Sequence, residues 1–136
     1  MPDSLLEFTV QGTPRSAQAK PWGRHRWVAK VSAAAAASRA EGASHFVEEL
    51  SVVVIYFHYG ETAIDVDNIA KPILDGLKGV VFVDDVLVTQ ILCRKTRLGT
   101  GLVVENASKQ LAAGVDLNRD FVYVAIHGAP DHHRVP

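Results

Sequence analysis

The sequence predicts a single α+β domain in which a mixed or antiparallel sheet is flanked by helices. Its 136 residues match the length of one ordinary domain, so a second domain is not expected. Val52–Tyr59 is a nearly continuous apolar run, which is typical of a buried central strand. Between Val66 and Leu77 apolar residues recur at helical spacing instead, so the chain mixes strands with helices.

The elements before the central strand follow from turn and capping signals. Leu5–Val10 alternates weakly and is followed by a glycine and a proline, which predicts a short first strand. Residues 12–30 are predicted to be a basic loop or a loose hairpin. An alanine-rich stretch then runs from Ser32, a fair N-cap, toward Leu50 and predicts one helix or two short ones.

The elements after the 66–77 helix complete the sheet. Val80–Val83 predicts a short strand and Val86–Leu98 a long one that ends at a glycine turn. These two strands are joined too tightly for a parallel crossover, which favours a mixed or antiparallel sheet. Glu105–Ala113 is predicted to be helical, and Phe121–Ile126 supplies the last strand.

Composition excludes several classes of protein. With 48% apolar and 21% charged residues, the chain is neither disordered nor fibrous. No apolar run approaches the roughly 18 residues of a membrane span, and the acid-flanked N-terminus is unlike a secretory signal, so we expect a cytoplasmic protein. Cys93 is the only cysteine, which excludes an internal disulfide. Residues 1–128 are predicted to form the domain and residues 129–136 a flexible tail.

Charge is nearly balanced overall but unevenly distributed. The formal net charge is −1, which argues against attachment to nucleic acid by bulk electrostatics alone. Six basic and no acidic residues lie between Glu7 and Glu41, and a second basic cluster lies at residues 94–97. Five acids crowd into 21 positions, namely Asp65, Asp67, Asp75, Asp84 and Asp85. A mostly basic surface around one acidic spot suits a metal-dependent enzyme that acts on a polyanion.

The acidic run has the residue types of a metal site. Pro72 is tolerated in the first turn of a helix, which predicts a helix that begins near Asn68 and an extended Asp65–Asp67 approach. Two carboxylates would then point the same way at the positive end of the helix dipole. Such an oxygen site suits Mg²⁺ or Mn²⁺, with Asp84 or Asp85 as a third ligand.

Each acidic piece also has a purely structural interpretation. Asp65 or Asp67 would serve as a helix cap worth about 1 kcal/mol, and Asp84-Asp85 would form a turn between strands. In the catalytic interpretation, Lys71 lies one turn into the helix, where it would reach a phosphate oxygen or stabilise a leaving group. Taken together, the acidic residues and Lys71 favour the catalytic interpretation over the structural one.

The run from Asp65 to Leu77, followed by Gly79 and Asp84-Asp85, resembles the signature of RusA-type Holliday junction resolvases, which are crossover junction endodeoxyribonucleases. Weaker similarity extends to the first strand and basic loop. The resemblance implies a homodimeric, Mg²⁺-dependent endonuclease that cuts branched DNA. It also implies that Asp65, Asp67 and Asp85 are metal ligands and that Lys71 is the functional lysine. Residues 99–120 and the C-terminal tail depart from the family pattern.

Basic and aromatic residues interleave between Lys20 and Trp27, as they do in grooves that bind nucleic acid. The predicted DNA-contacting residues are Arg15, Lys20, Arg24, Arg26 and Lys30. The alternative is a solvated loop with both tryptophans in the core. Two rival functions also stay open: a non-catalytic nucleic-acid-binding protein with a structural cation, and a metal nuclease for another nucleic acid.

Overall fold

A computed structural model describes residues 4–99, 104–105 and 107–135. Its four strands form one sheet in the order β1-β4-β2-β3, with β2 and β3 parallel and the other pairs antiparallel. The strands are β1 (Leu6–Gln11), β2 (Leu50–His58), β3 (Val88–Arg97) and β4 (Phe121–Gly128). The helices are α1 (Pro21–Ala37), α2 (Val66–Leu77) and α3 (Lys109–Asp116). The predicted α+β domain with a mixed sheet is confirmed.

The central part of the fold is a parallel β2-α2-β3 crossover, which differs from the tight connection predicted between strands at residues 80–98. The strand predicted at Val80–Val83 was wrong, because this segment is a turn with a single bridge between Lys78 and Phe82. Its apolar pattern arises because Val81 and Phe82 are fully buried against the core. The amide of Phe46 donates to the Val81 carbonyl at 2.9 Å and anchors the turn. Without that strand, α2 and the turn provide the long connection that parallel strands require.

Side chains on the two sheet faces form two separate cores. Val52, Val54 and Tyr56 of β2 point to one face, where they pack with residues of α1 and α2. Val53 and Phe57 point to the opposite face, which α3 covers. β2 is buried on both faces, as its continuous apolar run predicts.

Helix α1 begins earlier than predicted. The basic stretch expected to be a loop is helical from Pro21 onward, with a proline in the first helical turn where its missing N–H costs nothing. Trp27, Val31 and Ala35 form a buried stripe at four-residue spacing. Only three of its residues are buried, so the apolar signal over the basic half is weak.

Glycine allows α1 and α2 to pack closely. A Cβ atom on Gly76 would lie 2.6 Å from a methyl carbon of Val31, so only glycine fits there. The hydroxyl of Ser32 donates to the Gly76 carbonyl at 2.7 Å, and Arg39 donates to the Val80 carbonyl at 2.8 Å. Later residues of α1 thus contact later residues of α2.

The remaining elements differ from prediction mainly at their ends. α3 begins after Ser108, whose hydroxyl accepts a hydrogen bond from the Leu111 amide, instead of at Glu105. After β4, the Thr89 hydroxyl and His132 Nε2 are 2.8 Å apart, so the tail contacts the start of β3. The flexibility of that tail stays a prediction. No helix in the described part of the chain has the length and hydrophobicity to cross a membrane.

Candidate active site

The start of α2 presents two carboxylates beyond the end of β2. Asp65 has the extended backbone of an N-cap residue, and Asp67 lies in the first helical turn. Both are exposed, and Asp65 makes no side-chain capping bond, so its carboxylate is available to a ligand. Sites beyond the carboxyl ends of parallel strands are where open α/β sheets bind ligands. The helix dipole also favours negative charge at this point.

Pro72 lies inside α2, not in its first turn as predicted, because the helix begins at Val66. A proline has no N–H, so the carbonyl four residues earlier, on Asn68, has no helical donor. The amide of Ala17 donates to that carbonyl at 3.1 Å. Arg24 in turn donates to the Ala17 carbonyl at 3.1 Å. The basic segment before α1 is therefore attached to the first turn of the acidic helix.

Two side chains of β3 hold the segment that leads into α2. The Cys93 thiol donates to the Val66 carbonyl at 3.2 Å, and the Lys95 ammonium donates to the Ile64 carbonyl at 3.0 Å. Burial, together with the nearby Asp67 carboxylate, raises the pKa of Cys93 to about 11. Cys93 therefore stays a neutral donor at neutral pH. Lys95 therefore holds the backbone carbonyl that precedes Asp65, a role that the strand pattern alone did not reveal.

Lys71 lies between two carboxylates. Its ammonium is 2.8 Å from Asp75 Oδ1 and 3.6 Å from Asp85 Oδ2. The hydrogen bond to Asp75 is the main cause that raises the pKa of Lys71, and Asp85 contributes less. Lys71 is still 57% exposed, so a solvent-borne phosphate has access to it.

The two acids before β3 have different environments. The carboxylate of Asp84 accepts a hydrogen bond from the Val86 amide at 3.2 Å, which is the main cause that lowers the pKa of Asp84. The turn interpretation therefore holds for Asp84. Asp85 begins a short 3₁₀ turn and faces Lys71 instead. Of the pair, Asp85 is the acid directed toward α2.

The predicted metal ligands fit a hard cation by their chemistry. Carboxylate oxygens are the protein ligands that Mg²⁺ prefers, and this ion commonly takes one or two carboxylates together with substrate phosphates. Within residues 4–99, 104–105 and 107–135, no three His, Cys, Asp or Glu side chains form a ready metal-binding cluster. The structure thus brings Asp85 to Lys71 but does not gather all three carboxylates. The predicted extended approach from Asp65 to Asp67 is wrong, because the helix already begins at Val66 and only Asp65 has an extended backbone.

The basic residues predicted to contact DNA fall into two groups. Arg15, Arg26 and Lys30 line one cavity beside α1. Arg24 holds the loop through Ala17, and Lys20 is the N-cap residue of α1. The two tryptophans also differ, because Trp27 is 5% exposed and Trp22 is 62% exposed. The core interpretation therefore holds for Trp27 only.

Residues 19–105 match the profile of the protein family described as Endodeoxyribonuclease RusA. The chain belongs to the RusA endodeoxyribonuclease family. The match runs from Ala19 to Glu105 and so includes α1, β2, α2 and β3, together with the acidic residues and Lys71. A search of curated proteins found no match.

The RusA match leaves β1, α3 and β4 outside its limits. Two of these strands, β1 and β4, complete the sheet beside β2, and α3 covers its second face. The family region therefore contains the side of the domain that carries the acidic and basic residues.

Proposed function

We propose that the protein is a Mg²⁺-dependent endodeoxyribonuclease that hydrolyses phosphodiester bonds in branched DNA, with Holliday junctions as substrate, and acts as a homodimer. Mn²⁺ would substitute as a cation of similar ligand preference. One observation carries the proposal within this nuclease family: the hydrogen bond from Ala17 to Asn68 attaches a basic segment to the acidic end of α2. Basic residues that attract the DNA backbone therefore lie next to carboxylates that can bind a cation.

Asp65, Asp67 and Asp85 would hold the divalent cation. When bound, Mg²⁺ would supply an activated water and would neutralise charge at the scissile phosphate. The position of Asp65 and Asp67 at the start of α2 partly offsets the repulsion between their carboxylates. Lys95, which donates to the Ile64 carbonyl, holds the backbone next to Asp65 in place.

Lys71 would stabilise the charge that develops on the phosphate or the leaving oxygen. Its ammonium keeps its proton because Asp75 and Asp85 both favour the charged form and raise its pKa. The 2.8 Å bond to Asp75 also limits the positions that the long side chain samples. Asp75 is therefore a positioning residue in this proposal.

The basic surface would bind the sugar-phosphate backbone. Arg15, Lys20, Arg26 and Lys30 would contact phosphates directly, since contacts of this kind position a protein on DNA. Arg24 would act through the loop that it holds, because its guanidinium already donates to Ala17.

A homodimer would place two acidic sites on one junction, which symmetric cleavage of two strands requires. β3 is an edge strand of the sheet, and an edge offers unpaired backbone groups to another chain. Its first half exposes Ile91 and Leu92, which are 39% and 48% exposed. This half of β3 supports a contact with a second copy.

The test is a cleavage panel with labelled four-way junction, linear duplex, single-stranded DNA and RNA, each with Mg²⁺ or with EDTA. We expect Mg²⁺-dependent scission of the junction. Asp67→Asn should lose scission and keep binding, whereas Asp116→Asn, an equal charge change at the end of α3, should behave as wild type. Binding without scission under any metal would instead favour a non-catalytic nucleic-acid-binding protein, and preferred scission of RNA would favour a different nuclease.

A further inference from the structure

The cavity beside the start of α1 combines aromatic surface with positive charge. It has a volume of about 170 Å³, and its lining includes Arg15, Trp22, Arg26, Trp27 and Lys30. Pockets for drug-sized ligands begin at about 300 Å³. A cavity of this size is too small for a DNA duplex. It suits one phosphate group, while a base attached to that phosphate would lie against the exposed part of the Trp22 ring.

The basic side chains that line this cavity are not paired with carboxylates of the described residues. In the described part of the chain, none of Arg15, Arg26 and Lys30 forms a salt bridge. Lys30 also lines a neighbouring cavity that contains Arg119 and Asp120, so one carboxylate lies nearby among several cations. An excess of positive charge in a concave site favours an anionic ligand such as a phosphodiester.

Aromatic surface is available in the same place. Trp22 is 62% exposed. The Arg26 guanidinium lies 5.9 Å from the centre of the Trp22 ring. Trp27 is buried, and its indole N–H has no hydrogen-bond partner among the residues that the structure describes. The aromatic surface that a ligand can reach in this cavity is therefore that of Trp22.

We propose that this cavity binds a single unpaired nucleotide of branched DNA, with its base on Trp22 and its phosphate on Arg15, Arg26 and Lys30. A base inside a duplex is already stacked on both sides, so only an unpaired or splayed base can stack on an indole ring. The proposal rests on the proposed function because it names the DNA feature that the nuclease recognises. The cavity then distinguishes a branch point from plain duplex.

The position of the cavity agrees with this role. Ala17 contacts Asn68 at the start of α2, and Ser32 of α1 contacts Gly76 near its end. The two helices therefore run in the same general direction, with their first turns at the same end of the molecule. A nucleotide held at the start of α1 lies on the side of the domain that carries Asp65 and Asp67.

The experiment measures binding to three matched DNAs without cleavage, in EDTA: a duplex, the same duplex with a one-nucleotide bulge, and that bulge carrying an abasic site. Wild type should prefer the bulge with a base over both others. Trp22→Ala should reduce that preference about tenfold, and Trp22→Phe should retain most of it, because a tenfold effect lies within the range measured for a base stacked on an aromatic side chain. Lys109→Ala on α3 is the charge control and should match wild type.

Two results would overturn the proposal: equal affinity of the wild-type protein for bulged and abasic DNA, or an unchanged bulge preference in Trp22→Ala. Circular dichroism of each variant checks that the fold is retained. Because binding is measured in EDTA, a base-dependent preference without any nuclease activity would support the cavity and refute the proposed function. Cleavage of junctions by a wild-type protein that shows no preference for the base in the bulge would support the proposed function and refute the role of the cavity.

Discussion

At the residue scale, Lys71 is the side chain at which fold stability and the proposed chemistry can be measured separately. Its ammonium contacts Asp75 within α2 and approaches Asp85 from the turn before β3. Pairs of this kind on an exposed helix surface contribute only about 0.3–0.5 kcal/mol to stability. The same charge beside a phosphate in a reacting complex has a much larger effect on rate.

Replacing Lys71 should therefore separate activity from stability. We expect Lys71→Gln to reduce junction cleavage about a hundredfold and to change the free energy of unfolding by less than about 1 kcal/mol. Cleavage kinetics and urea unfolding measure the two effects. Lys109→Gln is the matched control and should leave both unchanged. Equal cleavage by the Lys71 variant would exclude Lys71 from the reaction.

Gly76 is a second residue whose effect is specific. A Cβ atom there would also lie 2.7 Å from Cβ of Val31, a fully buried residue. We expect Gly76→Ala to lower the free energy of unfolding by about 1–3 kcal/mol, as overpacked cores do. Gly60→Ala, where nothing lies within 4 Å of the new atom, should be nearly neutral in the same urea titration. A stable Gly76 variant would contradict the close packing of the two helices.

At the scale of elements, α2 combines a predictable pattern with an unpredicted contact. Its apolar spacing and acidic start were evident in the sequence, and the amphipathic helix is confirmed. The helix begins two residues earlier than expected because a buried interior proline is tolerated here. The donor from Ala17 lies about fifty residues away along the chain, so no local pattern could reveal it.

Replacing Pro72 tests this contact. In Pro72→Ala the new amide would compete with Ala17 for the Asn68 carbonyl, because it restores the helical donor. We expect the Ala17 amide to exchange with solvent about tenfold faster, which corresponds to the net contribution of one hydrogen bond. Hydrogen exchange followed by NMR measures this rate, and amides in the middle of β4 serve as the reference. An unchanged rate at Ala17 would show that the loop is held by other contacts.

At the scale of the whole molecule, topology was the least predictable property. The mixed sheet was expected, but the parallel β2 and β3 pair was not, because Val81 and Phe82 imitate a strand while they pack as a turn. The basic half of α1 was also missed, since exposed charges obscure its helical period. Contacts between residues far apart in the chain determine the strand pairing and the helix limits. The acidic residues, in contrast, form a local pattern that the sequence shows directly.

Two buried tyrosines and the half-buried Cys93 thiol predict how stability depends on alkaline pH. Burial raises the pKa of Cys93 to about 11 and that of Tyr56 to about 12, and burial also raises the pKa of Tyr123. The folded state thus favours the neutral forms, so this stabilisation is complete below the ordinary pKa values of 9.0 and 10.0 and is lost as the pH rises beyond them.

We therefore expect the Tm to be constant from about pH 7 to 8.5 and to fall progressively above about pH 9. Differential scanning calorimetry across this range measures the fall. Cys93→Ala should make the decline begin at higher pH, because the group with the lowest of these pKa values is then absent. A Tm that stays constant to about pH 11 would contradict the burial of all three groups.

Assembly through β3 leads to a separate prediction. Leu92 and Leu117 are both 48% exposed, but only Leu92 lies on the edge strand. We expect Leu92→Asp to sediment as a monomer at micromolar concentration and to cut only one strand of a junction at a time, because an added charge opposes an apolar contact. Leu117→Asp should remain dimeric. Wild type that sediments as a monomer would refute the dimer itself.

The glycine contact between α1 and α2 has a consequence for where such a nuclease cuts. Because Val31 packs directly on Gly76, we expect the two helices to move together and to hold the proposed nucleotide-binding cavity at a constant distance from the carboxylates. In such an enzyme the distance along the strand from the bound nucleotide to the cleaved phosphodiester would be constant. Its nick should fall a fixed number of nucleotides from the branch, whatever the sequence between.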